Sequence, residues 1–371
     1  MQQRNVVHAG FVSAPHLNPS LTTRRWPLQA LLFAVFLALT GATARAQTSQ
    51  VAQGLLQGTV YLHSGELQVS AVDLDIGGRA GWNVIISRVY RSRTIGHGAL
   101  GEAWDASIFR HLRAFPNGDV EYHDGAGEIW LFRLRSGQIS YESEKGVYLR
   151  LARRELGWAL VDQKSRITEF DQFGRMTWEG DEFARPDDSS VGNVIRYYYG
   201  PDGKLTDIVD PVGRVTTLTY YEGASSGPPS AHTDHLKEIT DWRGRALTYI
   251  YDSAHRLIEV RLPAVPHATS GGGRATIRYG YSPRPLSYSD RIELAPNLVS
   301  ITDPNEVATG GAPRVTFAYG FTGTERDRLK SETWATGESA TFTYVSPTQV
   351  EVKDALGQVR SYTIAGTGRD A

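Results

Sequence analysis

The sequence predicts an all-β protein in which an N-terminal β-domain precedes an array of stacked antiparallel β-hairpins. Three observations carry that expectation. A strand-turn-strand unit recurs from about residue 171 onward, and self-similarity of this kind marks an architectural part. The composition sets 38 Gly, 18 Tyr and 8 Trp against 2 Met, which suits strands joined by frequent turns. No stretch beyond residue 46 spaces its apolar residues as a helix would.

In chain order, residues 1–46 read as a signal peptide. Arg24 and Arg25 precede the apolar run ALLFAVFLAL (30–39), which is too short to cross a bilayer, and Ala44 and Ala46 stand at the small-residue spacing of a cleavage site. Cleavage after Ala46 is expected, leaving no stable membrane span and a protein that is secreted, periplasmic or held at the cell surface. The small, polar stretch 47–57 reads as a linker. An N-terminal β-domain follows over 58–165, with alternating strand candidates TVYLH (59–63), WNVIISRVY (82–90), VEYHD (120–124) and EIWLFRL (128–134).

The array is expected over 166–371. One strand half, roughly T-x-x-Y-x-Y, recurs at 194–199, 215–221, 246–251, 275–281, 315–321 and 340–344; a second, roughly L-x-x-I-x-D, recurs at 205–210, 236–241, 257–260 and 298–303. Turns of the form D-x-x-G-R join them: Asp171, Gly174 and Arg175; Asp210, Pro211, Gly213 and Arg214; Asp241, Gly244 and Arg245. Asp252 and Arg256 keep the frame with His255 in the glycine place, and Asp354 and Gly357 keep it without the arginine. The Asp side chain can bond backbone N–H groups just ahead, Pro presets φ, and Gly takes a positive φ at no Cβ cost. A lone hairpin is marginal, so neighbouring hairpins must supply the burial. The Gly-, Pro- and Ser-rich stretches 186–192, 223–232 and 263–273 read as surface loops.

These turn and strand motifs, D-P-x-G-R and Y-D-x-x-x-R-L, resemble the YD repeats of the Rhs (rearrangement hotspot) family. The segments at 65–93, 98–112 and 118–132 resemble the all-β region that precedes such repeats. The resemblance implies an arc of a spiralling β-shell that encloses a C-terminal toxin domain, with that domain or further repeats as partners. It implies a secreted or surface scaffold used in competition between bacteria. A surface adhesion or carbohydrate-binding module, with cell-surface glycans as partners, is the alternative.

Little in the sequence points to catalysis. Removing the leader takes four arginines from a formal charge of −1, giving −1 − 4 = −5, and no basic cluster remains to bind nucleic acid through phosphates. There is no Cys, which removes thiol nucleophiles and thiolate metal sites. Asp210, Pro211 and Gly213 match the short Asp-Pro-x-Gly string at which toxin-carrying Rhs proteins cut themselves, but the same letters serve a repeat turn. Asp73 and Asp75 lack the further ligands of a calcium loop and read as turn chemistry; the glycines at 271–273 lack a phosphate-loop Lys. His232, His235, His255 and His267 show no metal-pair spacing and read as exposed loop residues. No enzyme activity, cofactor or metal is expected, and the repeat tyrosines read as cross-strand packing.

Overall fold

The computed structural model describes residues 56–94, 97–135, 141–144, 146–185, 187, 191–222, 234–264, 274–283, 297–321 and 323–364. The expected signal peptide and nearly all of the expected linker lie outside the described residues, as do the glycines at 271–273, His232 and His267. Seventeen strands, from Arg150–Arg154 to Val359–Thr363, pair in strict chain order into one antiparallel sheet. Ahead of it lie two four-stranded sheets. The first runs in the order Leu56–Tyr61, Glu66–Ile76, Val84–Arg91 and Trp104–Ala106; the second runs Tyr141–Ser143, Ile129–Leu134, Val120–His123 and His111–Ala114. His97–Gly98 and Gly101–Glu102 form a small ribbon.

The large sheet takes in Arg150–Arg154 and Gly157–Val161, upstream of residue 166, where the sequence motifs first suggest the array. The cause is one more turn of the same build. Asp162 accepts from the N–H groups of Lys164 and Arg166 and pairs with the Arg166 guanidinium, and Ser165 holds φ 58° where other copies have Gly. A Pro-led α-helix, Pro304–Thr309, interrupts the array between Leu298–Thr302 and Val315–Tyr319.

A repeated bulge explains the L-x-x-I motif. Residues three apart on a regular strand face opposite sides, yet Leu205 and Ile208, Leu236 and Ile239, Leu257 and Val260, and Leu298 and Ile301 are all buried. The pairing shows why. Tyr198 lies opposite Asp207 and Tyr199 opposite Leu205, leaving Thr206 as an extra residue. Lys237, Ile258, Val299 and Lys330 are the extra residues at the equivalent places in the following units. Each bulge turns the strand by one residue, so both apolar positions face inward.

The tyrosine that closes each T-x-x-Y-x-Y strand sits opposite the bulge, or for Tyr344 beside a bulge on its own strand, and donates its hydroxyl backward. Tyr199 bonds the carbonyl of Met176, Tyr220 that of Leu205, Tyr251 that of Leu236, Tyr281 that of Leu257, Tyr319 that of Leu298 and Tyr344 that of Leu329, at 2.7–3.0 Å. Every such tyrosine therefore links one bulge to the one before it. Burial pushes the phenols of Tyr251, Tyr281 and Tyr319 far above the ordinary tyrosine range, so each stays a donor. Phe in these places would fill the space but leave the carbonyl behind.

Candidate functional site

The repeat turns are alike in detail. In the turn at Asp171 the Asp N–H donates to the Arg175 carbonyl and the Gly174 N–H to the Asp171 carbonyl, which makes a type I turn closed by a left-handed residue. The carboxylate then occupies itself locally: Oδ1 accepts from the N–H groups of Phe173 and Arg175, and Oδ2 from Arg175 Nε at 2.8 Å. Asp210 does the same with Val212 and Arg214, Asp241 with Arg243 and Arg245, and Asp252 with Ala254 and Arg256. Gly213 and Gly244 hold φ 85° and 75°, and His255 holds the same place at φ 63°. Asp354 keeps both backbone bonds, to Leu356 and Gln358, with Gly357 at φ 82° and no arginine. Pro211 occupies the second position of its turn, where its fixed φ fits.

Successive turns of a meander alternate between the two ends of the strands. The turns at Asp162, Asp210, Asp241 and Asp354 thus lie at one end, and those at Asp171 and Asp252 at the other. These residues recur as equivalent turns and are not gathered into one site. Burial raises the Asp241 carboxyl, but the Arg245 N–H and guanidinium outweigh it and hold the group below the usual carboxylate range; Arg256 does this for Asp252 and Arg166 for Asp162. Asp210 is 2 % exposed, with its acceptors filled by its own turn.

Two readings of single residues change. Asp73 is not a turn residue. It lies within the strand Glu66–Ile76 at a bulge, and its carboxylate pairs with Arg88 Nε at 2.7 Å, the two side chains 2 % and 0 % exposed. Asp75, also in that strand, accepts from Asn83 Nδ2. His235 is likewise not an exposed loop residue: it is buried against the Tyr251 ring, with its Nε2 3.2 Å from His255 Nδ1.

Arg88 and Asp73 belong to a seam that sequence reasoning missed. The Arg88 guanidinium lies over the rings of Trp104 and Tyr279, and Tyr249 donates its hydroxyl to Asp73 Oδ2. Burial works against the Arg88 charge, but Asp73 and the two tyrosines beside it raise its pKa beyond the ordinary arginine value. Nearby, Trp104 Nε1 donates to the Tyr281 hydroxyl, the Leu298 N–H to the Tyr90 hydroxyl, and Arg110 Nη2 to Glu179. Each bond joins an N-terminal sheet to the array, and the apolar residues of both form one continuous core. On the N-terminal side Arg88, Asp73, Trp104, Tyr90 and Arg110 belong to no repeat, whereas Tyr249, Tyr279 and Tyr281 are motif tyrosines of the array, so periodicity could point to the array half of the seam and not to its partners.

Among the described residues, no group of three or more His, Asp or Glu could hold a metal ion, and no helix is long and apolar enough to cross a membrane. Residues 57–132 match a family described as a domain of unknown function, DUF6531. No curated protein matches the chain. Among solved structures, the chain is similar to a chain in the crystal structure of TcdB2-TccC3-TEV, at 12 % identity and TM-score 0.31 over 82 % of this chain and 14 % of that one. It is similar to one in the crystal structure of TcdB2-TccC3, at 10 % identity and TM-score 0.28 over 85 % and 21 %. A chain of the Photorhabdus luminescens Tc holotoxin pore matches at 16 % identity and TM-score 0.30 over 80 % and 15 %. The chain thus spans between 14 % and 21 % of the length of these solved chains.

Proposed function

We propose that this chain is an exported, non-catalytic scaffold whose hairpin array forms part of the wall of a shell that encloses or delivers a C-terminal toxin in competition between bacteria. The observation that carries the reading is the use to which the repeated polar residues are put. At turn after turn the Asp and Arg are consumed in holding a hairpin closed, and the tyrosine hydroxyls in tying one bulge to the next. A wall needs this economy, since each unit must stabilise its neighbour and leave nothing reactive. The resemblance of the units to YD repeats supports the same reading, and export is the expectation raised by residues 1–46.

The direct test is protease protection of the C-terminal toxin domain that this reading proposes, in the full gene product. Resistance of that domain to a protease that digests it in isolation is expected, and equal digestion overturns the enclosure. Intact mass of the purified mature protein, followed for days beside Asp210→Ala, should show neither chain shortened. A wild-type fragment ending near Asp210, absent from the variant, would make this a self-processing protein. Saturable retention on a glycan array, lost in Tyr198→Ala, would instead favour surface adhesion, because Tyr198, between the two motif tyrosines of its strand, is 48 % exposed.

A further inference from the structure

Four backbone bonds dock the N-terminal sheets onto one end of the array. The Leu112 N–H reaches the Gly174 carbonyl, Leu236 N–H that of Ala99, Glu102 N–H that of His255 and Leu329 N–H that of Gly65, at 2.7–3.0 Å. Histidines stand at every one of them. His111 adjoins Leu112 and stacks on His123 with ring centres 4.4 Å apart. His235 adjoins Leu236 and meets His255 at 3.2 Å. His63 lies two residues before Gly65, edge-on to Tyr61. His255 replaces the glycine of its turn and keeps a positive φ that costs any side chain energy.

We propose that this seam is an acid-labile latch: protonation of its histidines releases the N-terminal sheets from the array while the hairpins of the array stay folded. The chemistry at His235 and His255 is direct. One imidazole donates to the other, and once both are protonated neither can accept, so a bond becomes a repulsion across 3.2 Å. Tyr251 and Glu102 face this pair, the Asp252–Arg256 ion pair flanks His255, and the Lys204–Asp234 pair flanks His235. At the stacked pair, Glu121 lies 3.6 Å from His123 and favours its charge, while the neighbouring His111 and Arg113 oppose it. Around His63, Glu66 and Glu128 favour charge, and Arg91 and Arg328 oppose it.

Burial decides the balance, holding His63 and His123 below the ordinary histidine range. A depressed base pKa means that the docked form prefers the neutral ring. At His63 and His123 the docked contacts are therefore intact above about pH 6.5, the ordinary histidine value, and weaken as pH falls through and below it. The array is poised differently. The carboxyls of Asp162, Asp241 and Asp252 lie below the usual carboxylate range, so their turns keep their ion pairs at a pH that charges the histidines.

Hydrogen exchange on the mature protein at about pH 7.5 and about pH 5, corrected for intrinsic rates, tests this. The seam amides of Glu102, Leu112, Leu236 and Leu329 should lose about tenfold or more of their protection at the lower pH, while the turn amides of Asp210 and Asp241 keep theirs. The variant His255→Gly restores the residue that sibling turns carry and should fold; alone it should retain part of the seam protection at low pH, and combined with His123→Gln most of it. Seam amides equally protected at both pH values in the wild type would overturn the proposal. So would seam and turn amides lost together, or variants as acid-sensitive as the wild type.

Discussion

Removing one hydroxyl from the tyrosine ladder isolates what the ladder contributes. Tyr251 is 7 % exposed, and its hydroxyl lies 2.9 Å from the Leu236 carbonyl and 3.3 Å from that of Ala99. Tyr251→Phe keeps the ring, its packing on His235 and its opposition to the bulge, and deletes only the donor. A net hydrogen bond is worth about 0.5–1.5 kcal/mol, and a buried carbonyl left short of a donor adds to the cost, so a loss of about 1–2 kcal/mol is expected. In a chain of this size that is a fall in Tm of about 1.5–3 °C. Tyr198→Phe, which removes an exposed hydroxyl, should stay within about 0.5 kcal/mol of the wild type. Urea titration would read both, with an unchanged m-value showing that only stability moved. Tyr220→Phe separates the ladder from the seam, because its hydroxyl bonds Leu205 alone and touches no N-terminal residue. If Tyr251→Phe and Tyr220→Phe both behave like Tyr198→Phe, the hydroxyls do not hold the bulges and the explanation of the motif fails.

Two further perturbations probe the turns and the seam. Gly244→Val should cost about 1–2 kcal/mol from backbone strain alone, since its φ is 75° and a Cβ there meets open space; Gly174→Ala should cost more than Gly244→Ala, because its Cβ would lie 2.0 Å from the Leu112 carbonyl, and equal losses in thermal unfolding would misplace that contact. Asp73→Asn leaves Arg88 buried without its counter-ion and should cost about 3–5 kcal/mol, whereas adding Arg88→Met should recover part of the loss; no recovery in denaturant titration would show that the pair is not what the seam depends on.

The all-β fold and its hairpins were legible because the turn is written locally. Asp, a left-handed residue three places on and a basic residue after it suffice to close the hairpin, and the alternating strand follows at once. Where the spelling drifts, reading fails: Ser165 closes the Asp162 turn at φ 58° without a glycine, so the sequence motifs leave two strands of the array in the preceding domain. The L-x-x-I motif was visible, but its three-residue spacing is no strand period, and the bulge that reconciles them exists only in the pairing of two strands. The seam was least legible. Asp73 shares its string with two glycines and looks like a turn; only Arg88, 15 residues away, and Tyr249, 176 away, identify it as a buried counter-ion.

That contrast between turn and seam follows from how each is loaded. A turn of the array is one of many, its energy adds to those of its neighbours, and a weakened copy is carried by the units on either side. Asp354 without its arginine, Ser165 and His255 without their glycine all keep the same backbone bonds. The seam has no such redundancy. Arg88, Asp73 and Trp104 each occur once, they and the Tyr249 that bonds Asp73 are buried, and removing a single partner leaves a charge or a donor stranded. Sequence change should therefore accumulate in the turns and be resisted at the seam, so that the residues hardest to find by periodicity are those whose loss would most readily separate the N-terminal sheets from the wall.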